Sequence, residues 1–163
     1  LKVTTSRAFR RQHINHYGLG DFARFDDYFL YIHLNPAVRM AHVWGSLLGL
    51  LLLPWGLYAL WQGQFWPVLL ASAIYYGVGF VSHFVWDGIF FETSKYEASA
   101  AAEQPRQPFL QTYRSLIRLI SDVLRGRYSE REKQFCSQYA QVLWVFDAQA
   151  PQPEIQASDK APD

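Results

Sequence analysis

The sequence predicts an all-α membrane protein, a transmembrane helical hairpin flanked by amphipathic interfacial helices. Three observations predict it. Arg39 and Lys95 are consecutive basic residues, and the 55 positions between them hold only two acidic side chains, Asp87 and Glu92. Two apolar runs, 42–61 and about 65–91, fill that window, and about 20 apolar residues cross a bilayer core. The linker between them, Gln62-Gly63-Gln64, is polar but uncharged. It is bracketed by Trp55, Tyr58, Trp61, Phe65 and Trp66, an aromatic belt of the kind that sits at membrane interfaces.

The composition agrees. Of 163 residues, half are hydrophobic and 18% are charged, with a net charge of +1. Soluble domains carry about 25% charged residues. This much apolar content excludes a disordered chain. The near-zero net charge argues against a nucleic-acid partner held by phosphate neutralisation. The single cysteine, Cys136, excludes an internal disulfide and a cysteine zinc site. It reads as a packing residue.

Taken in order, residues 1–21 form a basic segment without the apolar core of a signal peptide. Residues 22–146 form one membrane-embedded helical domain. Within it, Phe22, Phe25, Phe29 and Ile32 share one face of a helix over 21–32. Asn35-Pro36 reads as an N-cap followed by proline at the first helical position. The spans are then about 37–61, with Pro54 as a kink, and 65–91. Residues 97–108 read as a loop. Over 109–125, Leu110, Tyr113, Leu116, Ile117, Ile120 and Leu124 face away from Arg114, Arg118, Asp122 and Arg125. That helix suits either an anionic membrane surface or the domain's own core. Ser129-Glu130-Arg131-Glu132 has the form of a capping box, opening a last helix to about 146. Residues 147–163 contain Pro151, Pro153 and Pro162 and read as a flexible tail. Lys and Arg crowd both flanks and are missing from the turn, so both termini are expected on the cytoplasmic side of an integral membrane protein, in the inner membrane if bacterial.

Polar groups at membrane depth are costly and usually functional. Asn35, Arg39, His42, Ser46 and Gly49 form one stripe, and Ser72, Tyr76, Gly79, His83 and Asp87 form another. Small residues let two such stripes face each other. Counted from Gly63, His42 lies 21 residues before and His83 20 after, while Arg39 and Asp87 are each 24 away. Antiparallel helices therefore put the two histidines at one height, and Arg39 level with Asp87 as an ion pair. His33, two residues before the cap, can fold back toward them. Three imidazoles together suit a metal site for iron or zinc, whereas each alone reads equally as a hydrogen-bonding residue between helices, and Arg39 as a side chain that snorkels to headgroups. His13 and His16, an H-x-x-H in the basic segment, are a weaker candidate pair.

The run His33-Leu34-Asn35-Pro36-Ala37-Val38-Arg39-Met40-Ala41-His42 resembles the first motif, H-x-N-P-x5-H, of the membrane-bound 2-hydroxy fatty acid dioxygenases. Ser82-His83-Phe84-Val85-Trp86-Asp87 corresponds to their second motif, G-H-x3-E-x3-P-A. Here Ser82 replaces glycine, Asp87 replaces glutamate, and the Pro-Ala is missing. The likeness covers about 22–127. It implies an Fe(II) enzyme that uses O2 to shorten a long-chain 2-hydroxy fatty acid by one carbon, its acyl chain remaining in the lipid bilayer. It implies His33, His42 and His83 as iron ligands and Asp87 as a further ligand or as the acceptor that orients an imidazole. Asn35 would cap the helix, and Arg39 would hold the substrate carboxylate or neutralise Asp87. The altered second motif supports an alternative: a non-catalytic membrane subunit that keeps the hairpin and works in a complex or homo-oligomer.

Overall fold

A computed structural model describes residues 1–88 and 108–152. Among these residues the structure is all helical. Helix α1 is Arg7–His13, followed by single 3-10 turns at Ile14–His16 and Leu19–Asp21. Helix α2 is Phe25–Ile32 and α3 is Pro36–Trp61. Helix α4, Trp66–Asp87, is α-helical except for two π turns, Ala73–Gly77 and His83–Asp87. Helices α5, Pro108–Leu124, and α6, Tyr128–Gln138, precede a 3-10 segment, Ala140–Val145.

Local chemistry explains the boundaries of the hairpin. The Asn35 side chain accepts a hydrogen bond from the Ala37 N–H at 3.1 Å, with Pro36 behind it. Gly63 ends α3 in the left-handed conformation, φ 78°. Gly88, φ 71°, ends α4 in the same way, so the expected continuation over 89–91 lies outside the described residues. The loop residues 97–107 and tail residues 153–163 also lie outside them.

The two long helices pack through small residues. A Cβ on Gly49 would lie 2.6 Å from the Tyr75 Cβ, and one on Gly45 would lie 2.8 Å from that of Val78. Without side chains at these points the backbones come close. The α4 stripe differs from the expected one. Ser72 and Tyr76 point outward, while Ala71 is buried and Tyr75 meets Gly49. The π turn at Ala73–Gly77 is the reason. A straight α-helix completes two turns in about 7.2 residues, and the wider turn lets eight steps carry Ala71 onto the face of Gly79.

The outer faces of the hairpin remain apolar and uncovered. Leu51 is 77% exposed and Trp61 85%, and Trp44, Leu57, Leu69 and Phe80 are also exposed. Both helices are long and apolar enough to cross a membrane, and only 33% and 22% of their most apolar windows are buried within the molecule. Trp55 and Trp66 meet edge to face at the turn, 5.2 Å apart.

The main aromatic core lies beside the hairpin. Phe29 and Tyr31 of α2, Leu119 of α5, Phe135 of α6 and Val145 with Phe146 at the end of the 3-10 segment build it. Helix α2 begins at Phe25 rather than 21, because Asp21 turns back to accept the Gly18 N–H at 2.6 Å. Phe22 still joins the core from that turn. Glu130–Glu132 lie in a helix that starts earlier than expected. Gly126, φ 70°, makes a tight turn after α5, so α6 begins at Tyr128 with no side-chain cap at Arg127. The expected capping box is therefore not formed. The last helix stops at Gln138, where Tyr139 leaves helical geometry, and continues as the 3-10 segment. The chain's first residues close the core, with Thr4 N–H to Phe146 O at 2.9 Å and Thr5 Oγ1 to Val145 O at 2.8 Å.

Helix α5 serves two surfaces. Leu116 and Leu119 are buried, while Leu110, Tyr113, Ile117 and Leu124 stay exposed. Asp26 of α2 ties it down, accepting from the Ser115 hydroxyl and from Arg118 Nη1 at 2.5 Å. Burial opposes ionisation of Asp26, but those hydrogen bonds and the charges of Arg118 and Arg131 outweigh it and hold the carboxyl below its ordinary value. A lowered folded-state value contributes stability above the unfolded value, which is lost as pH falls through the folded one. Wild-type melting temperature should therefore drop as pH falls below about 4. Asp26→Asn should flatten that drop and cost about 0.5–1 kcal/mol at neutral pH, since the pair is partly exposed. An unchanged pH profile in Asp26→Asn would show that another group is responsible.

Candidate metal centre

Three elements each deliver one imidazole to a single point. His33 follows α2 and is 1% exposed. Its ring stacks on Phe29, centroids 4.1 Å apart, and its Nδ1 lies 2.6 Å from the Phe29 carbonyl oxygen. A carbonyl only accepts, so Nδ1 carries the proton and Nε2 keeps its lone pair. That Nε2 is buried and has no hydrogen-bond partner among the described residues. Burial, together with neighbouring His42 and His83, pushes the His33 imidazole well below its ordinary value, so it is neutral.

His42 stands on α3, its ring against Gly79 of α4. A Cβ at Gly79 would come under 3.0 Å from three ring atoms. The glycine is thus the socket for this imidazole. His83 opens the second π turn of α4 and is 2% exposed. Its Nε2 lies 3.1 Å from His42 Nε2. The three ring centroids are 4.4–5.1 Å apart, and one ligand nitrogen from each falls within 4.8 Å of the others.

This donor set fits a metal ion. Imidazole nitrogens bind at about 2.0–2.1 Å, so two of them on one ion sit roughly 3 Å apart, as the His42 and His83 nitrogens do. The hydrogen bond from His33 Nδ1 to a carbonyl is the usual outer support of a ligating histidine. Asp87 is not part of the converging group.

Asp87 is fully buried beside it. Its Oδ1 accepts from Asn35 Nδ2 at 2.6 Å and from Arg10 Nε at 2.7 Å. Asn35 thus caps α3 with its oxygen and holds α4 with its nitrogen. The expected Arg39–Asp87 pair is not formed. Arg39 lies over the Tyr128 ring, 3.9 Å from its centroid, and its Nη1 is 3.9 Å from Glu132 Oε1. Counting from the turn gives height along the helices but not direction around them. At this height α1 supplies the guanidinium, and Arg39 turns toward α6.

Sequence reasoning missed Arg10. Besides Asp87 it donates to the Trp86 carbonyl at 2.7 Å and to the Thr5 carbonyl. Arg7, three residues earlier, donates to the Phe84 carbonyl at 2.9 Å. The spacing of Arg7 and Arg10 on one face of a short helix was the available signal. His13 and His16 do not reach the cluster and pack instead around Trp144, centroids 5.1 and 5.9 Å away. Cys136 packs on the aromatic core, and burial pushes its thiol up.

A family profile described as 2-hydroxy-palmitic acid dioxygenase Mpo1-like matches residues 19–117. The chain belongs to this family. Its description suggests a function related to 2-hydroxy fatty acid dioxygenation. The matched segment of this Mpo1-like protein contains His33, Asn35, Arg39, His42, His83 and Asp87, whereas Arg10, Tyr128 and Glu132 lie outside it. No curated protein and no solved structure matches the chain.

Proposed function

We propose that this Mpo1-like protein is an Fe(II)-dependent dioxygenase that shortens long-chain 2-hydroxy fatty acids by one carbon, with His33, His42 and His83 as the metal ligands. The convergence of three imidazoles, two of them fully buried and one with an uncommitted lone pair, carries the reading. Three protein ligands leave positions for O2 and substrate. Bound iron would supply the redox chemistry by which O2 is reduced, the C1–C2 bond breaks and C2 rises to the carboxyl level, with C1 leaving as CO2 and water as the other product.

The chain's own residues do the rest. Phe29 and Gly79 fix the rings of His33 and His42, so the donors are pre-arranged. Arg39, one turn before His42 on α3, carries its charge beside Tyr128 and Glu132. In this reading it would turn from Glu132 to take the substrate carboxylate. Asn35 and Asp87 lock the start of α3 to the end of α4. The exposed apolar faces of α3 and α4 face lipid in this reading, with both termini on the cytoplasmic side. The acyl chain then stays in hydrocarbon while its polar head reaches the histidines.

The altered second motif keeps the competing reading of a metal-free membrane subunit specific enough to test. Metal analysis of the detergent-purified protein should find stoichiometric iron. O2 uptake should follow addition of 2-hydroxypalmitate but not palmitate. His42→Ala and His83→Ala should lose both. Metal-free wild-type protein that co-purifies with stable membrane partners would overturn the dioxygenase reading in favour of the subunit.

A further inference from the structure

We infer that Arg10, on a helix outside the segment shared with the family, is a positioning residue for the three-histidine centre, acting by clamping Asp87 and the second π turn of α4. The inference rests on the metal reading above. Its grounds are geometric. The π turn spans His83–Asp87, so one ligand opens it and the clamped carboxylate closes it. Arg10 grips that end twice, through Nε to Asp87 Oδ1 at 2.7 Å and through Nη2 to the Trp86 carbonyl at 2.7 Å. A third bond, from Nη1 to the Thr5 carbonyl, fixes the guanidinium to its own segment. Arg10 is itself 6% exposed, so water does not share this work.

The clamp reaches the other ligands through Asp87. The oxygen that Arg10 holds also receives the Asn35 amide at 2.6 Å. Asn35 lies two residues after His33 and caps the helix that carries His42. One carboxylate oxygen therefore joins the end of α4 to the short link between α2 and α3, and Arg10 supplies the charge that lets it be buried. Arg10 contacts no ligand histidine, so its effect is on where they stand. Outer groups that orient metal ligands change affinity by about 10–100-fold when altered.

Arg7 is the internal control. It lies on the same helix and donates to the Phe84 carbonyl of the same π turn, but it is exposed and does not touch Asp87. The experiment titrates metal-free full-length protein in detergent with Co(II), reading affinity and the visible ligand-field band. Arg10→Lys keeps the charge, and so the fold, but one ammonium cannot reproduce the forked grip. It should bind Co(II) about tenfold more weakly, with a shifted band. Arg7→Gln should match wild type in both. An unchanged affinity and band in Arg10→Lys would overturn the inference. Equal losses in Arg7→Gln would do the same, since they would show only that α1 holds the fold together. Wild-type protein that binds no Co(II) would instead remove the metal reading, and this inference with it.

Discussion

Replacing Asp87 by Ala is expected to destabilise the protein by roughly 3–5 kcal/mol, the usual cost of leaving one member of a buried ion pair without the other. Arg10 is 6% exposed, and Asp87 is its one carboxylate partner among the described residues. The carbonyls of Trp86 and Thr5 would still accept its N–H groups but would not balance its charge. Asn35 would lose the acceptor of its amide N–H. Thermal unfolding in detergent checks the size of the effect. The double change Arg10→Met with Asp87→Leu should recover the part of the loss that comes from the uncompensated charge, because an apolar pair of similar volume needs no counter-ion, while the Asn35 amide still lacks its acceptor. A single-mutant loss below about 1 kcal/mol would place the pair in contact with water.

The second large effect is at Gly79. Gly79→Ala adds one carbon where the His42 ring already sits, on a helix whose backbone is fixed against α3. Overpacking of this kind costs about 1–3 kcal/mol. The ring can relieve it only by turning away from His83, so Co(II) affinity should fall by at least about tenfold. Gly77→Ala is the matched comparison. It lies on the same helix with open space where its Cβ would go, and Ala is the better helix former by about 1 kcal/mol. It should leave affinity unchanged. Equal affinities for the two variants would show that His42 does not depend on the Gly79 socket.

Much of this was legible in the sequence for definite reasons. The hairpin announces itself by the window without Lys or Arg between Arg39 and Lys95. The Asn35-Pro36 cap is local chemistry, and it sets where α3 begins. Distance from a turn fixes height, so His42 and His83 could be paired by counting, and they meet at 3.1 Å. Azimuth is another matter. It accumulates about 100° per residue, and a π turn shifts it without changing the composition. That is why Ser72 and Tyr76 were placed inward and Arg39 was matched to Asp87. Arg10 was hidden for a different reason. Its partner lies 77 residues away, and the spacing of Arg7 and Arg10 marks a shared helix face without marking which guanidinium will be buried. The capping box failed because Gly126 brought the chain into α6 before Ser129.

The first π turn has a consequence for how this hairpin can change over time. A π turn is one residue of slack held in an otherwise regular helix, and it lets α4 carry that extra residue while its two halves keep one facing. The half near the turn of the hairpin carries Ala71 and the contacts to Gly49, and the other half carries Gly79 and His83. Deleting one residue between 73 and 77 would restore ordinary pitch and leave seven steps from Ala71 to Gly79, about two α turns, so both would stay on one face. A deletion in the α-helical stretch 66–72 would instead swing its two sides by about 100° relative to each other. Single-residue length differences in α4 among relatives of this chain should therefore gather at 73–77, where the slack can be shed without moving His83 around the helix.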